Sequence, residues 1–543
     1  TTFSYDYTTV KGEKWYDPRT SNGEDENGEV VKRIREYKKM VWSNTLSYLT
    51  TFNNIHHLDF LAGYEIDDTY NDYLSGEAYN FTTPDKHAIS NGMKTVSVGG
   101  SDSRYRLVSY LSRLNYDYKN KYYLGASFRV DGSSRLHRDN RWGTFWSVSG
   151  AWRTIEEEFM QPVKDWLTDL RIRASYGVNG TLPSDYFGYM GLSSISGGYL
   201  EQPGIQMSQI ANPNLKWETN YNMNIGLDFG FWDRLNFTIE YYTRTTKNLL
   251  MDCPVSMTTG FSSYLMNIGE VKNKGIELTI NSTNIKIKDF SWNTTFNLGH
   301  NSNKVVKLDG EQTQIVSGTQ IHKVGSSYRT FYVQEFAGIN PETGNPLFYT
   351  NELDENGNYI KEITENSKNA QFIPYKHAEP TVNGGISNSL RYKWLDLNFL
   401  FSYQFGGYSY DTWAQKTEHG GYDSYANIPT YYRDSWKKPG DQTNIEVYMP
   451  GKSSSVSMHK ITSSRRIHST DYFRLKNITF GITLPKEWTN KINIGNVRFY
   501  ASASNLWTWA AYDNYDPEAV SAGSATQTTP PLKTVTFGLN INF

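Results

Sequence analysis

Apolar and polar positions alternate with period two through most of this chain. In Tyr221-Asn222-Met223-Asn224-Ile225-Gly226-Leu227-Asp228-Phe229 the odd positions carry rings or aliphatic groups and the even ones are small or polar. Successive side chains of a strand point to opposite faces, so such a run has one apolar and one polar face and does not follow the period of an amphipathic helix. Similar runs are Leu107 to Tyr118, Tyr122 to Val130, Leu170 to Val178, Leu235 to Tyr242, Gly275 to Ile280, Trp292 to Leu298, Leu395 to Phe405, Phe473 to Leu484, Val497 to Leu506 and Val535 to Phe543. The pattern predicts about 16 strands, with ends placed to within ~2 to 4 residues.

The connections between these runs alternate in length. Working back from the C-terminus they are long near 510 to 531, short near 485 to 495, long near 408 to 468 and short at Arg391-Tyr392-Lys393-Trp394. Outer-membrane barrels have short periplasmic turns and longer extracellular loops, so the alternation assigns sides. The same parity runs through short turns at Ile285 to Asp289, Phe231 to Arg234, Lys119-Asn120 and Asn53-Asn54, while Glu156 to Asp165 reads as a brief periplasmic helix. Tyr328 to Ala337 looks like a strand, but a crossing there would invert every earlier assignment. Residues 303 to 380 are therefore placed wholly outside, as one large loop containing its own hairpin. Counted this way the first strand, 1 to 8, runs outward, and any strands upstream are even in number. An open sheet edge in lipid leaves backbone groups unpaired. Either the barrel is small, or part of it lies outside this sequence.

Composition agrees with a barrel and removes other classes. Mean hydropathy is -0.63, and no run approaches the roughly 20 apolar residues of a membrane-spanning helix, whereas a spanning strand needs about 10 and buries one side only. A helical membrane protein is excluded. Aromatic residues make up 15% of the chain, with 41 Tyr against 26 Phe and 15 Trp, and rings with a polar tip suit a boundary between lipid and water. A balance of 54 basic and 56 acidic residues, net -2, offers no basic footprint for nucleic acid. The lone Cys253 has no disulfide or zinc partner. The N-terminus, Thr1 to Tyr7, has no charged and apolar leader and starts in strand-like alternation, as expected of a chain that begins inside a larger protein.

Candidate chemistry is sparse. There is no G-x-S-x-G elbow, no H-E-x-x-H pair and no phosphate-binding loop with Lys, so the chain is expected to be no enzyme, with no catalytic residues, cofactor or metal. His56-His57 would point to opposite faces of a strand and so could not easily share an ion. Asp354-Glu355-Asn356-Gly357-Asn358 has Glu365 at the twelfth place, but Tyr359 stands where a calcium loop needs Gly, and a hairpin turn is the better reading. Asn340-Pro341-Glu342-Thr343-Gly344 is a second tight reversal. Glu156-Glu157-Glu158 reads as a solvated face. The segment 408 to 468 is dense in rings, and Trp413, Tyr422, Tyr425, Tyr431, Tyr432 and Trp436 are its candidate contact residues. Such rings stack on sugars, grip peptide side chains or pack against a partner protein.

Several blocks resemble the SusC/RagA family of TonB-dependent transporters from outer membranes of Bacteroides-like bacteria. They are Asn212 to Glu218 (NPNLKWE), Gly269 to Glu277 (GEVKNKGIE), Asp471 to Asn477 (DYFRLKN), Asp131 to Arg135 (DGSSR), Arg141 to Ser147 (RWGTFWS), Pro341 to Phe348 (PETGNPLF) and Ser504 to Trp507 (SNLW). The last strand, Thr534 to Phe543, ends on a ring, similar to the family's barrel-assembly signal. The resemblance implies an all-β, transmembrane antiparallel β-barrel in the outer membrane of a Gram-negative bacterium. Family barrels have about 22 strands around a plug, so 1–543 is expected to be the C-terminal part of the barrel, with the plug, the TonB-binding segment and the first strands outside it. The family implies a SusD-like surface lipoprotein as lid, TonB as the energy source through the N-terminal part, and a glycan or peptide oligomer as substrate. Pairs of such complexes commonly associate, which makes a dimer of pairs a further expectation. Specificity is expected in loops around 70 to 102, 181 to 216, 303 to 380 and 408 to 468. The runner-up is a siderophore or vitamin receptor without a lid, and the other class is a barrel-based surface enzyme or adhesin.

Overall fold

The alternating runs pair with their neighbours in chain order. In the computed structural model, sixteen strands form one sheet in strict sequence order. They are β1 (Thr2–Tyr16), β2 (Glu29–Phe52), β3 (His56–Phe81), β4 (Gly92–Tyr118), β5 (Tyr122–Ser133), β6 (Trp142–Trp152), β7 (Leu167–Thr181), β8 (Glu218–Phe231), β9 (Leu235–Pro254), β10 (Ser263–Lys286), β11 (Phe290–Leu308), β12 (Val382–Tyr392), β13 (Leu395–Phe405), β14 (Tyr472–Thr483), β15 (Asn496–Ala510) and β16 (Thr534–Asn542). The structure describes all residues except 200–201, 309–312, 423–426, 452–457, 459–460, 490, 492–493, 526–527 and 543, and backbone only at 95–96, 196–199 and 202–203. The terminal ring Phe543 thus lies outside the described residues. Two compact units are distinguished: Thr1–Trp152 with Ser175–Asn222 and Thr246–Ile268, and Arg153–Ala174 with Met223–Thr245 and Gly269–Phe543.

The short connections fall where the sequence places them. Asn53-Asn54, Lys119-Asn120 and Trp232-Asp233 are all left-handed, with φ between 51° and 57°, the backbone that a two-residue hairpin turn requires. The bridge before β7 holds two 3-10 turns, Thr154–Glu156 and Glu158–Val163. Residues 309–381 separate β11 from β12, and Thr330–Gln334 and Phe336–Ile339 belong to small sheets of their own. The expected single hairpin is instead three small sheets.

One expectation is corrected. Residues 70 to 102 are mostly strand, because β3 and β4 run 26 and 27 residues, and only 82–91 connects them. A spanning strand needs about 10 residues. Beyond the lipid polar residues occupy both faces, as in Asp68 opposite Arg106, Asn71 opposite Ser103 and Asp72 opposite Asp102, so the apolar alternation stops while backbone pairing continues.

Register across β2 to β6 locates the membrane. On one face, Phe52, His56, Tyr118, Tyr122 and Trp152 are direct cross-strand neighbours, with Tyr118 and Tyr122 stacked at 6.3 Å and Tyr122 and Trp152 at 6.4 Å. Ten residues along every strand lies a second row, Trp42, Ile66, Val108, Gly132 and Trp142. At ~3.3 Å per residue and a tilt of ~40° the rows are ~25 Å apart along the membrane normal, the height of an outer-membrane apolar band. Between them this face carries Leu46, Tyr48, Phe60, Tyr110, Leu114, Leu124, Phe128, Trp146 and Val148, all solvent-exposed apolar groups in the isolated chain. It is the lipid face, bounded by a row of rings at one edge and by a row that holds Trp42 and Trp142 at the other.

Candidate functional site

The opposite face of the same strands replaces rings with charges. Arg113 and Asn115 both donate to Asp59, each at 3.2 Å. Arg129 donates to Asp131 at 2.7 Å and to Ser109 at 2.8 Å, with Glu65 3.6 Å away. A recess of about 420 Å³ opens beside Arg129, where Ser127, Asn179 and Asn222 share the lining with Phe145, Tyr176 and Val178. In the second unit, Arg171 and Arg173 donate to Asp228 at 3.0 and 3.1 Å, and Arg173 also reaches Glu240. Part-exposed pairs of this kind add little stability. Their consequence is a wettable wall opposite the lipid face. His56 and His57 sit on different faces, bonded to Tyr116 at 2.8 Å and Thr51 at 3.0 Å, and among the described residues no group of three His, Cys, Asp or Glu could hold a metal.

Several of the sequence blocks prove to be anchors for the extracellular segments. Arg474, 2% exposed, donates to Asp516 at 2.6 Å, to Thr508 at 2.9 Å and to Glu518. Tyr472 and Lys476 add contacts to Glu518 at 3.0 and 2.7 Å, and Asp471 accepts from Gly406 N at 2.6 Å. The block Asp471 to Asn477 thus clamps the 511–533 connection to the rim of β14. In Asn212 to Glu218, Leu215 and Trp217 enter a core with Leu136, Phe145 and Val178. Asn212 donates to Leu265 O at 2.8 Å, Asn267 and Lys216 exchange bonds at 2.9 and 3.0 Å, and Trp217 donates to Arg141 O at 2.9 Å. Arg135 of DGSSR lies against both the Tyr105 and Tyr186 rings, 3.9 and 4.3 Å from their centres. In GEVKNKGIE the Tyr242 ring lies across Gly275, where a Cβ would stand 2.2 Å from His300 O.

Both turn readings within the 309–381 segment are met. Asp354 accepts from the backbone of Asn356 and Asn358 at 2.9 and 2.8 Å. Glu365 accepts from Thr343 at 2.8 Å, from Asn345 at 3.0 Å and from Asn340. Burial pushes the Glu365 carboxyl upward, but the bonds from Asn345, Thr343 and Asn340 outweigh it and hold it below the ordinary range.

The candidate rings divide by exposure. Trp413 is 39% exposed, and Tyr422 and Tyr431 37% each, whereas Tyr432 is 5% exposed. Trp436 donates to Pro341 O at 2.7 Å and covers Gly344, whose φ is +71°. Tyr432 and Trp436 are therefore fixed in the packing of the segment, while the other three present surface. Tyr425 lies outside the described residues. Burial pushes the Tyr431 hydroxyl up to about 12. The sequence reading missed the hub beneath these rings. Asp411, fully buried, caps the helix Thr412–Thr417 through Trp413 N and Ala414 N and accepts from Tyr512 at 3.0 Å and Asn514 at 3.1 Å. His468 stacks on Tyr512 at 3.7 Å. Short strands at Tyr408–Asp411, Ile467–Ser469 and Ser524–Ala525 join the two segments, one pair of them parallel. Only the Asp411 cap has a local sequence signal, an Asp two residues before the Trp413 amide that it accepts from.

Comparison with known proteins places this arrangement. A model of the "TonB dependent receptor-like, beta-barrel" family matches residues 1–352. The chain is 31% identical over 574 positions to TonB-dependent receptor P3 of Formosa agariphila, covering 100% of this chain and 56% of that protein. It is 29% identical to TonB-dependent receptor SusC of Bacteroides thetaiotaomicron, over 95% of this chain and 51% of that one. A solved RagAB peptide transporter superposes with a TM-score of 0.88 at 26% identity, covering 100% of this chain and 59% of that chain. The chain spans little more than half the length of these relatives.

Proposed function

The chain belongs to the TonB-dependent receptor β-barrel family, in its SusC/RagA branch, and from that premise we propose that it is the C-terminal part of an importer of nutrient oligomers. It is a strand-spanning protein of the outer membrane. The cargo is a glycan or a peptide, enclosed between the barrel and a SusD-like surface lipoprotein, and the rest of the protein supplies the plug and the segment that TonB pulls. The observation that carries this reading is the whole-chain likeness to the RagAB peptide transporter, joined by the relative named SusC.

The geometry supports a division of labour. The charged wall gives a polar passage, and the clamped extracellular segments give a mouth that keeps its shape. Trp413, Tyr422 and Tyr431 are the rings of that mouth available to cargo or lid. Covalent chemistry has no part in the cycle.

Uptake of labelled glycans and peptides, measured in the source cells with TonB intact and disabled, tests the proposal. We expect import of one of these classes that disappears without TonB, and a lipoprotein that co-purifies with the tagged transporter. Import that persists without TonB overturns the mechanism, and TonB-dependent import of an iron chelate or vitamin with no lipoprotein bound overturns the choice of cargo and lid.

A further inference from the structure

β1 to β4 continue well past the outer row of the apolar band, and their polar face there carries two arginines without a carboxylate partner. Arg35 and Arg33 lie seven and nine residues beyond Trp42 along β2, ~18 and ~23 Å above the band at the same rise and tilt. Both are exposed, on the face opposite the lipid side, and ~7 Å apart along the strand. Across the sheet Arg35 stands between Val10 and Tyr73, and Arg33 between Gly12 and Ser75. The Arg35 guanidinium lies 5.2 Å from the centre of the Tyr73 ring. A Cβ placed on Gly12 would meet nothing within 4 Å, so the floor beside Arg33 is open.

The charges of this face leave the excess on that pair. The three cross-strand rows through Arg33, Arg35 and Tyr37 hold both arginines and no carboxylate. Above them stand Lys14, Lys94, Glu29 and Glu77, and below them Asp6, Lys39 and Asp67. Over the whole face the five cations thus slightly outnumber the four carboxylates. Asp67 is paired with Lys39 at 2.9 Å and Glu77 accepts from Tyr79 at 2.5 Å. Among the described residues neither Arg33 nor Arg35 forms an ion pair, so both guanidinium forks are open to a ligand.

We propose that Arg33 and Arg35 bind the anionic groups, carboxylate or sulfate, of an acidic glycan at the mouth of the barrel. This rests on the importer reading and narrows its cargo. A guanidinium fork matches the oxygens of either group. The side chains of Asn71, Ser75, Ser101 and Ser103, on the same face, supply donors and acceptors for sugar hydroxyls. A peptide that binds as an added strand needs a free sheet edge for its backbone. Here β2 and β3 are paired on both sides, so the face offers side chains alone.

The test is calorimetric binding to the full-length transporter in nanodiscs at low salt. The probes are an oligogalacturonate, a sulfated galactan oligosaccharide, a neutral galactan oligosaccharide and oligoglutamate, all of matched length. At least one acidic glycan should bind roughly tenfold tighter than the neutral one, with a preference that shrinks as salt rises, and the one that does so identifies the anionic group. R33Q/R35Q should lose that preference, while K288Q, in an exposed periplasmic turn, should keep it. Equal or undetectable binding of acidic and neutral glycans, or a preference unchanged in the double variant, overturns the proposal. Oligoglutamate bound as tightly as the acidic glycans overturns the choice of a glycan, and loss of a co-purifying lipoprotein from the double variant gives the arginines to the lid and overturns the cargo assignment. TonB-dependent import of a neutral glycan, with no preference for the acidic ones, leaves the importer reading standing and sinks this inference alone. If the double variant does not insert, R35Q alone is read by the same criteria.

Discussion

At the scale of single residues, the informative side chains are those whose partners lie far away in the chain. Arg474 sits at the rim of β14 and meets Asp516 and Glu518, residues that only the fold brings near. Removing one partner of a buried charge cluster leaves the others without compensation, which typically costs ~3 to 5 kcal/mol. Lys476 remains beside Glu518, so Arg474→Ala should cost about 3 kcal/mol, at the low end of that range. The loss belongs to the 511–533 connection and not to the barrel, so amide exchange should accelerate by roughly two powers of ten across 511–533 and stay unchanged in β14 and β15. Uniform acceleration through both strands would mean that Arg474 supports the sheet and is no clamp. The block Asp471 to Asn477 was visible in the sequence as a recurrent motif, but its role was not, because Asp516 and Glu518 stand in an unrelated stretch with no pattern of their own.

At the scale of elements, legibility followed the environment. Strands inside the lipid were readable because one face must be apolar and the other polar, and the tight turns because left-handed backbone favours Asn. Outside the lipid that rule lapses, so the upper halves of β3 and β4 read as loop, and the short strands at Tyr408–Asp411 and Ile467–Ser469 were not foreseen. Their junction carries a titratable group. His468 lies in the packed joint on Tyr512, and burial pushes its pKa down to about 4 from an ordinary value near 6.5. A histidine with a depressed folded value prefers to be neutral there. Its stabilising contribution is complete above about pH 6.5 and is lost progressively as pH falls through the folded value near 4. Proteolysis of the 406–471 segment should therefore quicken between pH 6.5 and 4, and His468→Phe, which keeps the ring stack without the proton, should flatten that dependence. A variant with the same pH profile as the parent would assign the titration to another group.

At the scale of the whole molecule, the two faces of the wall make a quantitative claim about the membrane. Arg113 and Leu114 are adjacent in β4, yet Arg113 meets Asp59 on the polar face while Leu114 lies in the cross-strand row Tyr48, Phe60, Leu114, Ala126 and Val148. That row is four residues from the inner aromatic row and six from the outer one, close to the middle of the ~25 Å band. A cation there meets lipid and not water, and the cost of Arg on the lipid face of a barrel is ~2 to 4 kcal/mol at mid-depth, falling to ~0 to 1 near the edges. Leu114→Arg should accordingly lower the unfolding free energy of the full-length protein in lipid vesicles by ~2 to 4 kcal/mol. Val108→Arg, in the outer row itself, should lose no more than ~1 kcal/mol. The natural Arg106, two residues further out, is consistent with that gradient, since the chain tolerates a cation on this face only once the band has ended. Guanidinium titration of the two variants measures the difference. Equal losses at both positions would place the apolar band elsewhere along the strands.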